Sequence, residues 1–133
     1  MKYKAFFIAA SVLLLISCNS AEKQQRAVAE SFLGFYFATE YDSAATLCTP
    51  ELGEELLNSL KSINSLEDGV KEMIAKQTSG IKTQIVSLEK SSSKDSVLLK
   101  YKVILPNFPN GIDNRMVLVK EGKSWLVAGF GQK

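Results

Sequence analysis

The chain contains no histidine, and in 133 residues it has only two cysteines, Cys18 and Cys48. Without an imidazole, His-ligated metal sites and every catalytic triad that uses His as its base are excluded. Any proton transfer would fall to a carboxylate with a raised pKa or to a tyrosine. Charge of one sign is lacking as well. Sixteen Lys+Arg against fourteen Asp+Glu leave a formal net charge of +2, too weak to point to a nucleic-acid or polyanion partner. There is no glycine-rich phosphate loop, no Cys/His cluster and no basic stripe interleaved with aromatics. The sequence therefore calls for no cofactor, no metal and no nucleic acid. Internal repeats are absent, and the length fits one domain.

What is present begins with Lys2 and Lys4, placed ahead of the uncharged run Ala5–Ser17. Its hydrocarbon part, Ala5–Ile16, would reach only ~18 Å as a helix, well short of a ~30 Å bilayer core. Residues 1–17 are thus expected to be a signal peptide with a basic n-region and a short h-region. Directly behind it, Leu15-Ile16-Ser17-Cys18 resembles the lipobox of bacterial lipoproteins, with an aliphatic residue at −3, a small residue at −1 and then Cys. That resemblance implies a diacylglycerol thioether on Cys18, cleavage before it and acylation of the freed amine. The membrane then becomes a partner through lipidated Cys18, since two or more acyl chains hold stably where one holds only at roughly 10⁴ M⁻¹. Cleavage near Ser20-Ala21 by ordinary signal peptidase is the alternative and would leave an unlipidated secreted domain.

Asn19 is not the aspartate that retains enterobacterial lipoproteins in the inner membrane. The stretch Asn19-Ser20-Ala21-Glu22-Lys23 also lacks an acidic surface-export cluster. The expected address is the bacterial cell envelope, lipid-anchored in the outer membrane and facing the periplasm. Residues 18–24 would be the tether and residues 25–133 the domain. Both leader lysines leave with residues 1–17, so 14 basic and 14 acidic residues remain and the mature chain is formally neutral. With Cys18 consumed by lipid, Cys48 has no intramolecular partner. No basic residue flanks it to favour a thiolate, so it reads as a buried filler rather than a nucleophile.

The domain starts with helical periodicity. Over Glu22–Thr39, Val28, Ala29, Phe32, Leu33, Phe35, Tyr36 and Phe37 cover a wide arc, with Lys23, Glu30, Ser31 and Gly34 opposite. Asp42 is placed to cap a short second helix through Leu47. Thr49-Pro50 predicts another helix start, a hydroxyl N-cap with proline at the first helical position. Leu52, Leu56, Leu60 and Ile63 share one face of it. Ser65 with Asp68 resembles a capping box ahead of a stripe of Leu66, Val70, Met73 and Ile74, with Gly80 as a stop. From Ile81 the period becomes two. Strands are predicted over Ile81–Glu89, Ser96–Leu105, Ile112–Glu121 and Ser124–Phe130, with a break at Pro106–Gly111 and a tight turn at Gly122-Lys123. Helices followed by successive antiparallel strands make an α+β domain.

A long first helix ending in Phe35-Tyr36-Phe37, then Tyr41-Asp42-Ser43-Ala44-Ala45 and Leu47-Cys48-Thr49-Pro50, resembles nuclear-transport-factor-2-like (cystatin-like) domains. So does the terminal hairpin from Met116 to Val127. The likeness is greatest to small bacterial lipoproteins of that superfamily with no assigned activity. It implies N-terminal helices packed against a curved four-stranded antiparallel sheet that forms a cone with a pocket. It also implies homodimerisation through the sheet. The departure is that no clear strand is seen between Asp42 and Ser65.

On that fold the pocket candidates are Tyr36, Tyr41, Tyr101, Arg115 and Trp125. Each has a plainer role: core packing for the tyrosines and Trp125, and pairing with Asp113 or a neighbouring strand's carboxylate for Arg115. No catalytic residue is assigned. Asp42 as base and Tyr36 as hydroxyl donor are weak candidates, Asp42 having helix capping as its other role. Phe108, isolated between two prolines, either anchors a partner or closes the end of the sheet. The expected function is a non-catalytic, membrane-tethered binding domain for a small ligand or another envelope protein. The alternative is a small isomerase, dehydratase or hydrolase.

Overall fold

The computed structural model describes residues 2–131, with side chains from Ser20 onward; the side chain of Cys18, and the lipidation expected of it, lie outside that range. The described residues form an α+β domain. Four helices come first: α1 (Lys2–Phe37), α2 (Tyr41–Ala45), α3 (Pro50–Asn64) and α4 (Asp68–Thr78). Four strands follow: β1 (Lys82–Lys90), β2 (Ser96–Leu105), β3 (Phe108–Glu121) and β4 (Ser124–Gly131). They make an open antiparallel meander in the order β1-β2-β3-β4.

Helix α1 stops at Phe37, two residues short of the Thr39 expected from periodicity. The chain turns there by satisfying the helix's last carbonyls. Glu40 N–H donates to the Phe35 carbonyl at 2.9 Å and Thr39 N–H to that of Tyr36 at 3.1 Å. This six-to-one and five-to-two pair needs a left-handed residue between them, usually glycine. Thr39 takes it at φ 59°, although a β-branched side chain is strained in that region.

Three capping expectations need correction. Asp42 is not the cap of α2; Glu40 holds that position. The Asp42 carboxylate instead accepts from the next backbone N–H, that of Ser43, at 2.9 Å. Thr49 is the N-cap of α3 with Pro50 at its first position, but its hydroxyl makes no capping bond. Its backbone is used differently: Thr49 N–H donates to the Val127 carbonyl at 2.9 Å, and Val127 N–H to that of Leu47 at 2.8 Å. This single parallel bridge at Cys48 is all the strand pairing described between Asp42 and Ser65. Ser65 ends α3 and bonds back to the Ser62 carbonyl, so it forms no capping box with Asp68; Glu67 precedes α4.

The sheet follows the period-two pattern, and β2 occupies the span expected of it. The break expected at Pro106–Gly111 is present but compact. Pro106-Asn107 turns and Leu105 pairs with Phe108, where β3 begins; the register then shifts, and Pro109, Asn110 and Gly111 have no pairing partner among the described residues before Ile112 meets Val103. The described β4 pairs with β3 no further than Arg115. Up to there β3 has β2 alone as a neighbour, and a proline's missing N–H is tolerated on such an edge. Gly122, at φ 63°, allows the two-residue turn between Glu121 and Ser124. Irregularities interrupt the ladder at Val86 in β1, at Pro109–Gly111 in β3 and at Ala128 in β4, and such bulges bend a strand and increase its twist.

One face of the sheet meets α1. Ala29, Phe32 and Leu33 of α1 pack with Val97, Leu99, Tyr101 and Val103 of β2, Met116 and Leu118 of β3, and Trp125 and Val127 of β4. Leu52 and Leu56 of α3 close the side beside β4. Burying a side chain such as Phe32 or Leu99 contributes about 1.5–3 kcal/mol, so these residues hold the helix on the sheet.

Candidate functional site

Three of the five pocket candidates converge where α1 ends. The Tyr36 ring stacks on Tyr41, with centroids 5.2 Å apart, and meets Phe130 edge-on at 4.8 Å. Phe130 in turn meets Phe32 edge-on at 4.8 Å. Tyr101 is buried on the neighbouring strand face, its phenol pushed up to about 12 by burial and, secondarily, by the nearby Tyr36. Burial also raises Tyr41, with Tyr36 adding to it. Tyr41 and Tyr101 therefore stay protonated across the physiological range and can act as hydrogen-bond donors.

The other two candidates lie elsewhere. Trp125 is buried at the start of β4, opposite Lys120, while Phe130 sits opposite Met116. At ~3.3 Å per residue this places Trp125 roughly 16 Å along the strand from Phe130. Arg115 alternates with Asn114 and Met116 and pairs with Lys100, so it lies on the face turned away from α1. Asp113 does not pair with it; its carboxylate is 4.0 Å from the Lys102 ammonium instead. Asp42, although next to Tyr41, is exposed and sits in water rather than among the buried rings. Cys48 is buried, and its thiol donates to the Ala44 carbonyl at 3.2 Å. Burial pushes that thiol up to about 11, which leaves no thiolate for nucleophilic work near neutral pH.

The space between α1 and the sheet is filled. Phe32, Leu33, Leu99, Met116, Leu118 and Val127 are essentially inaccessible, and Tyr101 and Trp125 are buried beside them. Clefts occur on the outside. One, of about 380 Å³, lies over β1, β2 and β3; Val86, Lys100, Lys102, Asp113, Asn114 and Arg115 line it, and Tyr101, whose side chain is buried on the other face, also borders it. Another, of about 390 Å³, separates the stretch of α1 that carries Ala21, Glu22, Gln25 and Arg26 from β1. Among the described residues no group of three His, Cys, Asp or Glu side chains converges on a metal position.

Two surface features escaped the sequence reading. The apolar stripe of α4 is largely uncovered: Met73 is 57% exposed and Val70 39%, only Ile74 is half-buried, and Leu66, just ahead of the helix, is exposed as well. Leu57 of α3 is also exposed. Periodicity reveals which residues share a face, and it cannot reveal whether anything covers that face. The second feature is the pairing of Lys100 with Arg115. Alternation along β2 already put Lys100 and Lys102 on one side; only the β2–β3 register, shifted by the irregularity at Pro109–Gly111 after the Pro106-Asn107 turn, brings Arg115 beside them. Phe108 is 47% exposed, at the β2–β3 turn opposite Leu105.

No family model matches the sequence, and a search of curated proteins finds no significant match.

Proposed function

We propose that this chain is a membrane-tethered bacterial envelope lipoprotein whose nuclear-transport-factor-2-like domain is a non-catalytic binding module, and that its ligand is another envelope protein rather than a small molecule. The observation that carries the reading is the distribution of apolar surface. The interior where a cone would hold a ligand is occupied by Phe32, Tyr101 and Trp125, while Met73 is more than half exposed and Leu66 and Val70 beside it are partly exposed. Apolar groups gathered on an exposed helix are a common basis for protein recognition. The lipobox Leu15-Ile16-Ser17-Cys18 and the short run before it support the envelope address.

The anchor is tested by Cys18→Ser. Acyl labelling and membrane retention should both be lost; retention that survives unchanged contradicts the anchor. The binding surface is tested by Val70→Ser with Met73→Ser. Association with the partner in envelope extracts should fall while the thermal midpoint stays put. A small hydrophobic ligand that co-purifies with the domain and is displaced by substitutions at Tyr36 or Tyr41 would contradict the surface reading.

A further inference from the structure

Formal neutrality hides a separation of charge. Residues 40–78, which carry α2, α3 and α4, hold eight Asp+Glu against three Lys, a net charge of −5. Residues 79–133, which carry the sheet, hold nine Lys+Arg against four Asp+Glu, a net charge of +5.

On the sheet, part of that positive charge gathers on the face turned away from α1. Lys100 stands opposite Arg115 in the β2–β3 register, and Lys102 is two residues along on the same face. Glu89 lies 3.0 Å from the Lys100 ammonium and Asp113 lies 4.0 Å from that of Lys102. Arg115 has no carboxylate at ion-pair distance among the described residues. Like charges directly opposite one another destabilise an antiparallel pair; Glu89 offsets this at Lys100, and Arg115 is left as the cation that an external anion would relieve. The cleft they line has room for one.

Position selects the anion. Val86, exposed at the bulge of β1, borders this cationic cleft and also the cleft lined by Ala21, Glu22, Gln25 and Arg26. The cationic face thus comes within one side chain of Ala21, which is three residues from Cys18 and so no more than ~11 Å of chain from it. We infer that the outer face of the sheet, through Lys100, Lys102 and Arg115, docks on the phosphate headgroups of the anionic leaflet that holds the Cys18 lipid. This rests on the anchor reading proposed above. The Arg115 fork suits two oxygens of one phosphate, and the lysines act as point charges. Attraction to an anionic surface decays over about 10 Å at 0.1 M salt, comparable with the reach of the tether. The tether also keeps the face at high effective concentration over the membrane. The acidic residues of α3 and α4 have no such attraction and leave the α4 stripe available to a protein.

The test uses the chain purified from envelopes with its N-terminus as the cell leaves it, its intact mass reporting the lipid on Cys18. A fluorophore on Gln84→Cys, opposite Lys102 on the same face, reports energy transfer to headgroup-labelled lipid in vesicles. Transfer should be higher on vesicles containing phosphatidylglycerol than on phosphatidylcholine alone, and high salt should abolish the difference. Lys100→Gln, Lys102→Gln and Arg115→Gln should each lower the docked-to-undocked ratio about fivefold. Lipidated protein whose transfer ignores phosphatidylglycerol overturns the docking and leaves the anchor intact. A dimer in solution broken by the same three substitutions would give the face to a second copy and overturn it too. A mass showing no lipid on Cys18 removes the anchor reading and this proposal with it.

Discussion

Helices α1 and α4 carry apolar stripes of similar design and end in opposite surroundings. The stripe of α1 places Ala29, Phe32 and Leu33 out of contact with water against β2, β3 and β4. The stripe of α4 places Val70 and Met73 in water, and α4 buries no residue. Among the described residues the chain therefore covers the stripe of the first helix and leaves most of the last one's open. Stability and recognition are divided between them, and perturbing either helix should show which role it has.

The largest effect is expected from Phe32→Ala. The side chain is fully buried between α1 and Phe130, and truncation should cost about 3–5 kcal/mol, read as a fall in the urea midpoint. A small loss would mean that α1 is held on the sheet by something other than this packing.

A second effect follows from the raised acids on the α1 side. Unfolded, Cys48 and Tyr101 ionise near 9 and 10; folded, they hold their protons to about 11 and about 12. Both pKa values are raised, so the stability they contribute is fully present below pH 9 and is lost as pH climbs from 9 to 12. Thermal midpoints across that window should fall, and Tyr101→Phe should flatten the upper half of the decline. A midpoint flat to pH 12 would deny the burial of both groups.

Next in size is the end of α1. Thr39 sits at φ 59°, so Thr39→Gly should relieve a left-handed β-branched residue and stabilise by about 1 kcal/mol, even after the entropy glycine adds to the unfolded chain. Destabilisation would mean that the Thr39 hydroxyl, which donates to the Ala38 carbonyl, outweighs the backbone strain. The smallest stability effect belongs to α4, where Met73→Ser should move the midpoint by no more than about 0.5 kcal/mol. A loss of several times that would show that the α4 stripe has an intramolecular partner after all.

Much of this architecture is legible in the residues, for definite reasons. Val97, Leu99, Tyr101 and Val103 alternate strictly with Leu98, Lys100 and Lys102, and alternation at period two has one physical solution when helices cover only one face. The Gly122-Lys123 turn is equally local. What could not be read depends on distant parts of the chain. Asp42 has capping chemistry, but the left-handed turn at Thr39 places Glu40 at the cap position and Asp42 inside the first turn. Pro109 has the chemistry of a strand breaker, and it does interrupt the β2–β3 ladder, but β3 resumes its pairing from Ile112 because the shift is confined to Pro109–Gly111. Of the site candidates, Tyr36 and Tyr41 are neighbours through one helix end, whereas Tyr101 joins them through packing. Arg115 is separated from all three because strand parity turns it to the other face. Whether an apolar stripe such as that of α4 is covered is a property of the whole molecule, and no window of sequence contains it.

The proposed division of labour between the two helices is tested most directly in living cells, by a photoreactive amino acid at one position at a time. At Met73 it should capture a discrete envelope protein, and the adduct should vanish when Val70→Ser is added; at Tyr36 and Trp125 it should capture no partner. A small-molecule or protein adduct from Tyr36 or Trp125, with none from Met73, would contradict the account and return the binding site to the interior.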